Sequence, residues 1–115
     1  MMPPSANESI VELLTRCAIA CEECFIGCLG EADMQHMAAC IRADKTCSAV
    51  CMLTASLVAS NSIYAAAYVD LCADVCAGCA RECEKHQHDH CKKCAAVCRE
   101  CEEACENFML EKVHE

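Results

Sequence analysis

The cysteines of this sequence recur at intervals of three and four residues. The segment CADVCAGCAREC, residues 72–83, carries four cysteines with the spacing 4-3-4, and residues 17–28 repeat that spacing. At about 100° per residue, positions spaced in this way share an arc of roughly 60 to 80° on an α-helix. The pattern therefore predicts thiols on one face of each helix. The candidate metal ligands are Cys17, Cys21, Cys24 and Cys28; Cys40, Cys47 and Cys51; Cys72, Cys76, Cys79 and Cys83; and Cys91, Cys94, Cys98, Cys101 and Cys105.

Cysteine also occurs in proteins as a small buried hydrophobic residue, and three-and-four spacing is typical of any core face. Sixteen thiols on four stripes, however, give much poorer packing than leucine would, unless something fills the space between them. Two sulfurs at positions i and i+4 of one helix and a third from a facing helix are close enough to converge on one ion. The stripes therefore indicate a metal-binding core.

The chemistry of the ligands favours Cu(I), with many ions per chain. Cu(I) is a soft ion matched to thiolate ligands. No Lys or Arg falls on the cysteine stripes, so one Cu(I) per thiolate leaves the core neutral. Zn(II) with four thiolates leaves about two negative charges per site in a medium of low dielectric constant. Zinc buffering stays open as an alternative, because cysteine pairs from two helices could form four-sulfur sites.

Other sulfur chemistry fits less well. The ferredoxin run C-x2-C-x2-C-x3-C-P is absent. The cationic residues Lys92, Lys93 and Arg99 adjoin cysteines in sequence but point about 100° away on a helix, so they do not lower a thiol pKa. Cysteines at i and i+4 of one helix form a disulfide only with strain. An iron–sulfur or redox thiol protein is the second alternative.

The elements that position these thiols are four helices within one domain, residues 1–115. Ser5 and Glu8 form a predicted capping box for the first helix, and Gly30 is its predicted left-handed terminator. Asp33 is the predicted N-cap of the second helix. The segment Ser60–Ser62 and the stretch KHQHDH are the next breaks. The predicted ends of the four helices are about Leu29, about Ala59, Lys85 or His86, and near Leu110. These bounds predict an all-α fold, an antiparallel up-down-up-down four-helix bundle with cysteines lining the core.

The rest of each stripe predicts two different ends for this bundle. Antiparallel packing gathers large apolar residues at one end as a hydrophobic plug: Ile10, Leu13, Leu14, Leu57, Val58, Tyr68, Val69, Phe108 and Met109. It gathers imidazoles and thioethers at the other end as a mouth: Met34, His36, Met37, His86, His88 and His90. The thiols between them span roughly 16 Å of helix rise, which indicates a tube and not a single site.

Composition limits the partners. Eighteen acidic and nine basic residues give a net charge of -9, which disfavours nucleic acid and anionic lipid surfaces. The N-terminal segment MMPPSANESIVELLTRC resembles neither a secretory signal nor a membrane anchor, so the expected compartment is the cytoplasm, where thiols are kept reduced.

These features resemble the copper storage proteins, which are four-helix bundles with inward-facing cysteines that hold many Cu(I) ions. The resemblance rests on CxxxCxxCxxxC in the first and third helices, on QHMAACIRADKTCSAVC and on KHQHDHCKKC. It implies a binding protein and not an enzyme, loaded through a histidine-lined open end. It also implies the cytosolic branch of the family, a homo-tetramer, and a copper donor or chelator as partner.

Three histidines are candidate ligands at the mouth. His36 lies one turn before Cys40 on its stripe, His86 continues the stripe of Cys83, and His90 directly precedes Cys91. Other polar or sulfur-bearing residues near the stripes are not expected to be ligands. They are Asp44, which stands where a cysteine would continue the second stripe, Met37, His88, and His114 near the C-terminus.

Overall fold

The computed structural model of this protein describes residues 5–113 as four α-helices. They are α1 (Ala6–Leu29), α2 (Ala38–Ala59), α3 (Ala65–Cys83) and α4 (Asp89–Val113), with one turn of 3-10 helix (Met34–Met37) before α2. Helices α1 and α3 each pack against both α2 and α4. Each helix thus contacts its sequence neighbours, and α1 also meets α4, which confirms the predicted four-helix bundle.

Local chemistry explains where α1 begins and where the chain breaks between α2 and α3. The Ser5 hydroxyl accepts the Glu8 backbone N–H at 3.1 Å, while the Ser5 N–H donates to the Glu8 carboxylate at 3.4 Å. This is the predicted capping box. Between α2 and α3, Asn61 adopts a left-handed φ of 54°, a conformation that asparagine tolerates better than most residues. The predicted break at Ser60–Ser62 is therefore confirmed.

Two residues at predicted helix ends, Gly30 and Asp33, differ from their predicted roles. Gly30 stays right-handed, with φ of -86° and ψ of -5°, because its N–H still donates to the carbonyls of Ile26 and Gly27 in the last turn. Asp33 caps no helix through its side chain, and α2 begins only at Ala38. Its carboxylate lies 3.6 Å from His88 Nε2 instead. Gly30 does follow the last residue of α1 as predicted, but its left-handed conformation and the side-chain cap by Asp33 were wrong predictions.

The last two helices differ slightly from their predicted bounds. Helix α3 ends at Cys83, one turn of chain before His86, and α4 continues to Val113, beyond Leu110. Helix ends fray, and such shifts of two or three residues are ordinary. His114 lies outside the described residues.

Large apolar side chains close one end of the bundle. Ile10 and Leu14 of α1 pack there with Val58, Val69 and Phe108, and all five are buried. We call these five residues the hydrophobic plug. The other predicted members, Leu13, Leu57, Tyr68 and Met109, are half-buried around it. The plug supplies the conventional hydrophobic stabilisation that the sulfur-lined part of the core lacks, roughly 1.5 to 3 kcal/mol per buried side chain.

Basic side chains stay on the outer surface. Arg16 pairs with Glu100 at 2.6 Å, Lys45 with Glu22 at 3.0 Å, and Arg99 with Glu84 at 2.8 Å, each linking two neighbouring helices. Exposed pairs of this kind contribute little stability. They leave the core without a cation, because every Lys and Arg is at least partly exposed.

Over residues 5–113, no helix combines the length and the apolar character that a membrane crossing needs.

Candidate metal centre

All sixteen cysteines point into the bundle and carry free thiols. Fifteen have no exposed surface at all, and Cys79 is 2% exposed. Many neighbouring sulfurs lie 3.5 to 3.9 Å apart, as between Cys40 and Cys83 at 3.5 Å and between Cys24 and Cys40 at 3.9 Å. A disulfide would bring two sulfurs to about 2.0 Å. We call these sixteen side chains the thiol column.

The thiol column offers several overlapping groups of metal ligands. In each group four ligand atoms lie within 4.8 Å of one another. One group takes a single cysteine from every helix, so the four stripes do converge as the spacing predicts. The groups include Cys17 with Cys51, Cys76 and Cys101; Cys17 with Cys21, Cys47 and Cys98; Cys21 with Cys79, Cys94 and Cys98; and Cys24 with Cys28, Cys40 and Cys91. Such shared ligands suit a chain of soft ions better than one isolated site.

Asp44 is fully buried inside the thiol column. Its Oδ1 accepts thiol hydrogens from Cys79 and Cys94, both at 3.5 Å, and from Cys83 at 3.7 Å. Burial raises the pKa of this carboxyl to about 8. Asp44 is therefore mostly protonated at neutral pH in the metal-free chain. It also joins Cys24, Cys40 and Cys83 in one of the candidate ligand groups.

Burial also acts on two thiols near the mouth, whereas hydrogen bonds with Cys24 and Cys83 lower the pKa of Cys40 to about 2. Burial raises the pKa of Cys91 to about 12 and raises the pKa of Cys28 as well. Neutral thiols are compatible with a core that contains no cation. A metal ion that binds here must displace their protons, since the thiolate is the ligand.

His90 is the histidine that the structure brings to the thiols. Its Nδ1 lies 3.4 Å from the sulfur of Cys91, 3.6 Å from that of Cys24 and 4.0 Å from that of Cys28. Its Nε2 lies 2.9 Å from Glu31 Oε1. A carboxylate that holds one ring nitrogen orients the other nitrogen toward a metal position. His90 thus lies over the mouth of the thiol column with a nitrogen directed at three sulfurs.

Two residues that support His90 were not recognised in the sequence. Glu31 binds its ring, and Gly27 makes room for it, because a Cβ atom at position 27 would lie 2.7 Å from the imidazole. The His88 ring stacks on that of His90 with centroids 5.3 Å apart, and its nitrogens lie 3.4 Å from Glu31 and 3.6 Å from Asp33. No spacing rule indicates the contacts of Glu31 and Gly27 with His90, since these residues are about 60 positions apart in the chain.

The structure places the other two candidate histidines away from the sulfurs. His36 is exposed in the 3-10 turn. His86 Nε2 is buried 3.6 Å from Glu82 Oε1, beyond hydrogen-bond reach, beside a groove between the α3–α4 connection and α4. Met37 is fully buried under the mouth. Metal binding by His36 and His86 stays a prediction, and so does metal binding by each individual cysteine.

The core of this four-helix bundle is a column of reduced thiols, with an imidazole over one end and a hydrophobic plug at the other. These features define a class of helical proteins that bind metal through cysteines in their core. Residues 4–110 match the family model described as "Csp: Copper storage protein", and the chain belongs to that family. The resemblance inferred from the cysteine stripes is confirmed.

Relatives support the same assignment. The Bacillus subtilis (strain 168) protein named "Uncharacterized cysteine-rich protein YhjQ" is 39% identical over 99 residues, which are 86% of this chain and 92% of that protein. The Cu(I)-bound copper storage protein BsCsp3 is 38% identical with a TM-score of 0.86, over 90% of this chain and 97% of that one. A cytosolic copper storage protein from Streptomyces lividans, described as holding five coppers, is 38% identical with a TM-score of 0.88, over 91% and 92% of the two chains.

Proposed function

We propose that this protein stores and sequesters several Cu(I) ions per chain as thiolate complexes along the thiol column. The observation that carries this proposal is the alignment of sixteen buried, unlinked thiols, whose sulfurs form overlapping groups within 4.8 Å. Cu(I) fits between such sulfurs without requiring a buried countercharge, because each ion neutralises one thiolate. The function is binding, and no catalytic turnover is part of it.

Loading takes place at the mouth in this proposal. His90 presents Nδ1 next to Cys24, Cys28 and Cys91, where it acts as the first ligand for an arriving ion. Transfer to the thiols follows over less than 4 Å, and the displaced protons leave through the same opening. The opposite end is closed by the hydrophobic plug, which gives the column a single axial entrance.

The cellular setting follows from the relatives. One similar Streptomyces lividans protein is described as cytosolic, and we infer a cytoplasmic location for this chain, where a copper donor or chelator supplies the ion. We also infer a homo-tetramer. The exposed apolar residues Ile26, Ile63 and Tyr64, which are 65%, 89% and 63% exposed, would contribute to its contacts. The molar mass in solution, measured by light scattering, tests the assembly.

Anaerobic titration tests storage directly. Cu(I) added to the reduced, metal-free protein in competition with a chromophoric chelator is expected to bind well past four equivalents per chain. Elemental analysis of the desalted product supplies the count independently. The same chain with its thiols alkylated after unfolding is the control and should bind none. Saturation at four or fewer equivalents contradicts the proposal.

Zinc buffering is the second candidate function, and the groups of four sulfurs within 4.8 Å favour it, because tetrahedral thiolate sites suit zinc. Competition between the two metals separates the candidates. Cu(I) is expected to displace Zn(II) completely, since a column of four-thiolate zinc sites accumulates buried negative charge. Retention of zinc in the presence of equimolar Cu(I) would favour the second candidate. A visible charge-transfer band in protein purified anaerobically would instead revive the iron–sulfur alternative.

A further inference from the structure

A groove on the side of the bundle reaches the wall of the thiol column. It lies between α2 and α3 and has a volume of about 270 Å³. Cys79 is part of its lining and retains 2% exposure as a residue, whereas the other fifteen core cysteines have none, although its sulfur also lies 3.5 Å from the buried Asp44 Oδ1. Its neighbours on the α3 stripe are Cys76 and Cys83, so the groove meets the column between the mouth and the plug. We call this groove the side window; its lining residues are Arg42, Ala43, Thr46, Val75, Gly78 and Cys79.

Short side chains keep the wall thin at this place. Gly78 lies in the middle of α3, where glycine costs about 1 kcal/mol relative to alanine. A Cβ atom at position 78 would meet only Arg81 Nη2, at 3.7 Å. Packing therefore does not require glycine there. The missing side chain leaves the approach to Cys79 open, and a larger residue would fill it.

The charge around the side window differs from the charge around the mouth. Arg42 lines the window and Arg81 flanks it at Gly78. Within residues 5–113, neither guanidinium lies within 4 Å of a carboxylate, although most of the other Lys and Arg side chains do. Beside the hydrogen bond from Arg99, Arg81 is near enough to Glu84 to help lower the pKa of that carboxyl. The mouth instead carries the carboxylates of Glu31 and Asp33. In a chain of net charge -9, the side window attracts a small anion and the mouth attracts a cation.

We propose that the side window is a port for ligand exchange, at which a small anionic thiol removes Cu(I) from Cys79. The proposal rests on the proposed storage function. The incoming thiol R–SH loses its proton and forms a Cu–S bond as the bond from copper to the Cys79 sulfur breaks. The proton passes to Cys79, and copper stays Cu(I), so nothing is oxidised or reduced. The regained S–H of Cys79 has an acceptor in place, Asp44 Oδ1 at 3.5 Å.

This arrangement separates entry from exit by charge. Carboxylates of the ligand pair with Arg42 and Arg81, and its sulfur reaches Cys79. The same ligand is repelled at the mouth. Neighbouring thiols then refill the Cys79 position, because Cys79 shares a candidate ligand group with Cys21, Cys94 and Cys98.

Release kinetics test the port. Protein loaded anaerobically with Cu(I) is mixed with excess bathocuproine disulfonate as a chromophoric sink, with and without a small thiol. Glutathione, which is anionic, is expected to accelerate release more than cysteamine, which is cationic. The advantage should shrink as salt is added, because screening weakens steering by surface charges. Equal acceleration by the two thiols would overturn the proposal.

Variants locate the route. Gly78→Leu should return the rate with glutathione to the rate without thiol, Gly78→Ala should have a smaller effect, and Arg42→Gln should lower the acceleration about tenfold. Ala67→Leu, at an exposed position of α3 outside the window, is the matched control and should release copper like the parent. A parental rate for Gly78→Leu with unchanged Cu(I) capacity overturns the port alone. Absence of Cu(I) capacity in the parent overturns the storage function as well.

A second measurement needs no copper. The reduced, metal-free protein is treated briefly with iodoacetate, a small anionic alkylating agent, and the sites are mapped by mass spectrometry. Cys79 should be labelled faster than Cys76, which is on the same helix with no exposed surface. Gly78→Leu should remove that difference. Equal labelling of the two cysteines in the parent contradicts an open side window.

Discussion

At the scale of single residues, the mouth depends on how one imidazole is held. Glu31 lies at hydrogen-bond distance from Nε2 of His90 and thereby holds the ring in place. The other ring nitrogen, Nδ1, faces three sulfurs. Gly27 lies against the ring face. The position of the nitrogen is therefore determined by a glycine and a carboxylate that bind no metal themselves.

Gly27→Ala is expected to slow Cu(I) loading by about tenfold, the scale of losses when a ligand's supporting contacts are removed. The added Cβ would lie 2.7 Å from the His90 ring and would push it off the mouth. Total capacity should be unchanged, because the thiols are untouched. Stopped-flow mixing under anaerobic conditions measures the rate. Gly30→Ala is the matched control, since its Cβ meets nothing closer than 3.6 Å, and equal rates for both variants would contradict this role of His90.

Among residues 5–113, Asp44 is the one carboxyl group within the thiol column. Three thiols donate to its Oδ1 at 3.5 to 3.7 Å, and burial raises its pKa to about 8 from an ordinary value of 3.8. Between these two pH values the folded chain holds a proton that the unfolded chain releases. The stabilisation from that proton is complete below about pH 4 and is lost as pH rises through about 8.

The free energy of unfolding of the metal-free, reduced protein should therefore fall between about pH 4 and pH 8, with a contribution from Asp44 of up to about 1.4 kcal/mol per pH unit. Asp44→Asn, which cannot titrate, should remove that contribution. Urea unfolding at several pH values, followed by circular dichroism, gives both curves. Parallel curves for parent and variant would show that Asp44 does not hold the proton.

At the scale of the helices, the buried face of each helix has one part with large apolar residues and another part with cysteines. Helix α1 buries Ile10 and Leu14 near its start and four cysteines farther along. Large apolar side chains contribute stability by burial, whereas the thiols contribute less contact area per residue. The hydrophobic plug is therefore expected to hold the metal-free bundle together.

Leu14→Ala should lower the free energy of unfolding of the metal-free protein by about 2 to 5 kcal/mol, because it leaves a cavity at a fully buried position. Leu53→Ala, at a position that is 46% exposed, is the control and should change it by only about 0.5 kcal/mol. Chemical denaturation under reducing conditions measures both. Similar losses for the two variants would mean that the plug does not carry the stability.

At the scale of the whole molecule, metal ions complete the core. The thiol column is buried, contains no Lys or Arg and is lined by small side chains, so bound ions supply packing as well as coordination. Any ligand that binds only the folded chain stabilises it by mass action. The bundle is thus a container that becomes more stable as it fills.

Loading should release protons, about one for each thiol that becomes a thiolate ligand. The reason is that burial keeps thiols such as Cys91, with a pKa of about 12, protonated before metal arrives. An indicator dye in weakly buffered, anaerobic solution counts the protons during Cu(I) titration. Apparent affinity should also fall as the pH is lowered. Loading without proton release would show that the thiols are already ionised in the metal-free protein.

The sequence by itself determined the architecture and the chemistry. Cysteines spaced by three and four residues select one helix face, and cap residues such as Ser5 and turn residues such as Asn61 divide the chain into four helices. Both signals are local, so the helices and their buried faces can be predicted from the sequence. The same is true of the preference for a soft ion, which follows from ligand type and from the absence of cations on the stripes.

Only the tertiary structure decided which residues meet at the two openings of the column. It selected His90 over His36 and His86 as the imidazole next to the sulfurs, moved Asp33 from a cap to the mouth, and opened the side window at Gly78. These outcomes depend on contacts between residues up to 66 positions apart, such as Cys24 and His90. Helical periodicity describes the direction of a side chain within its own helix. The distance to a partner on another helix is determined by packing, because rotation and axial shift of whole helices are set by all their contacts together.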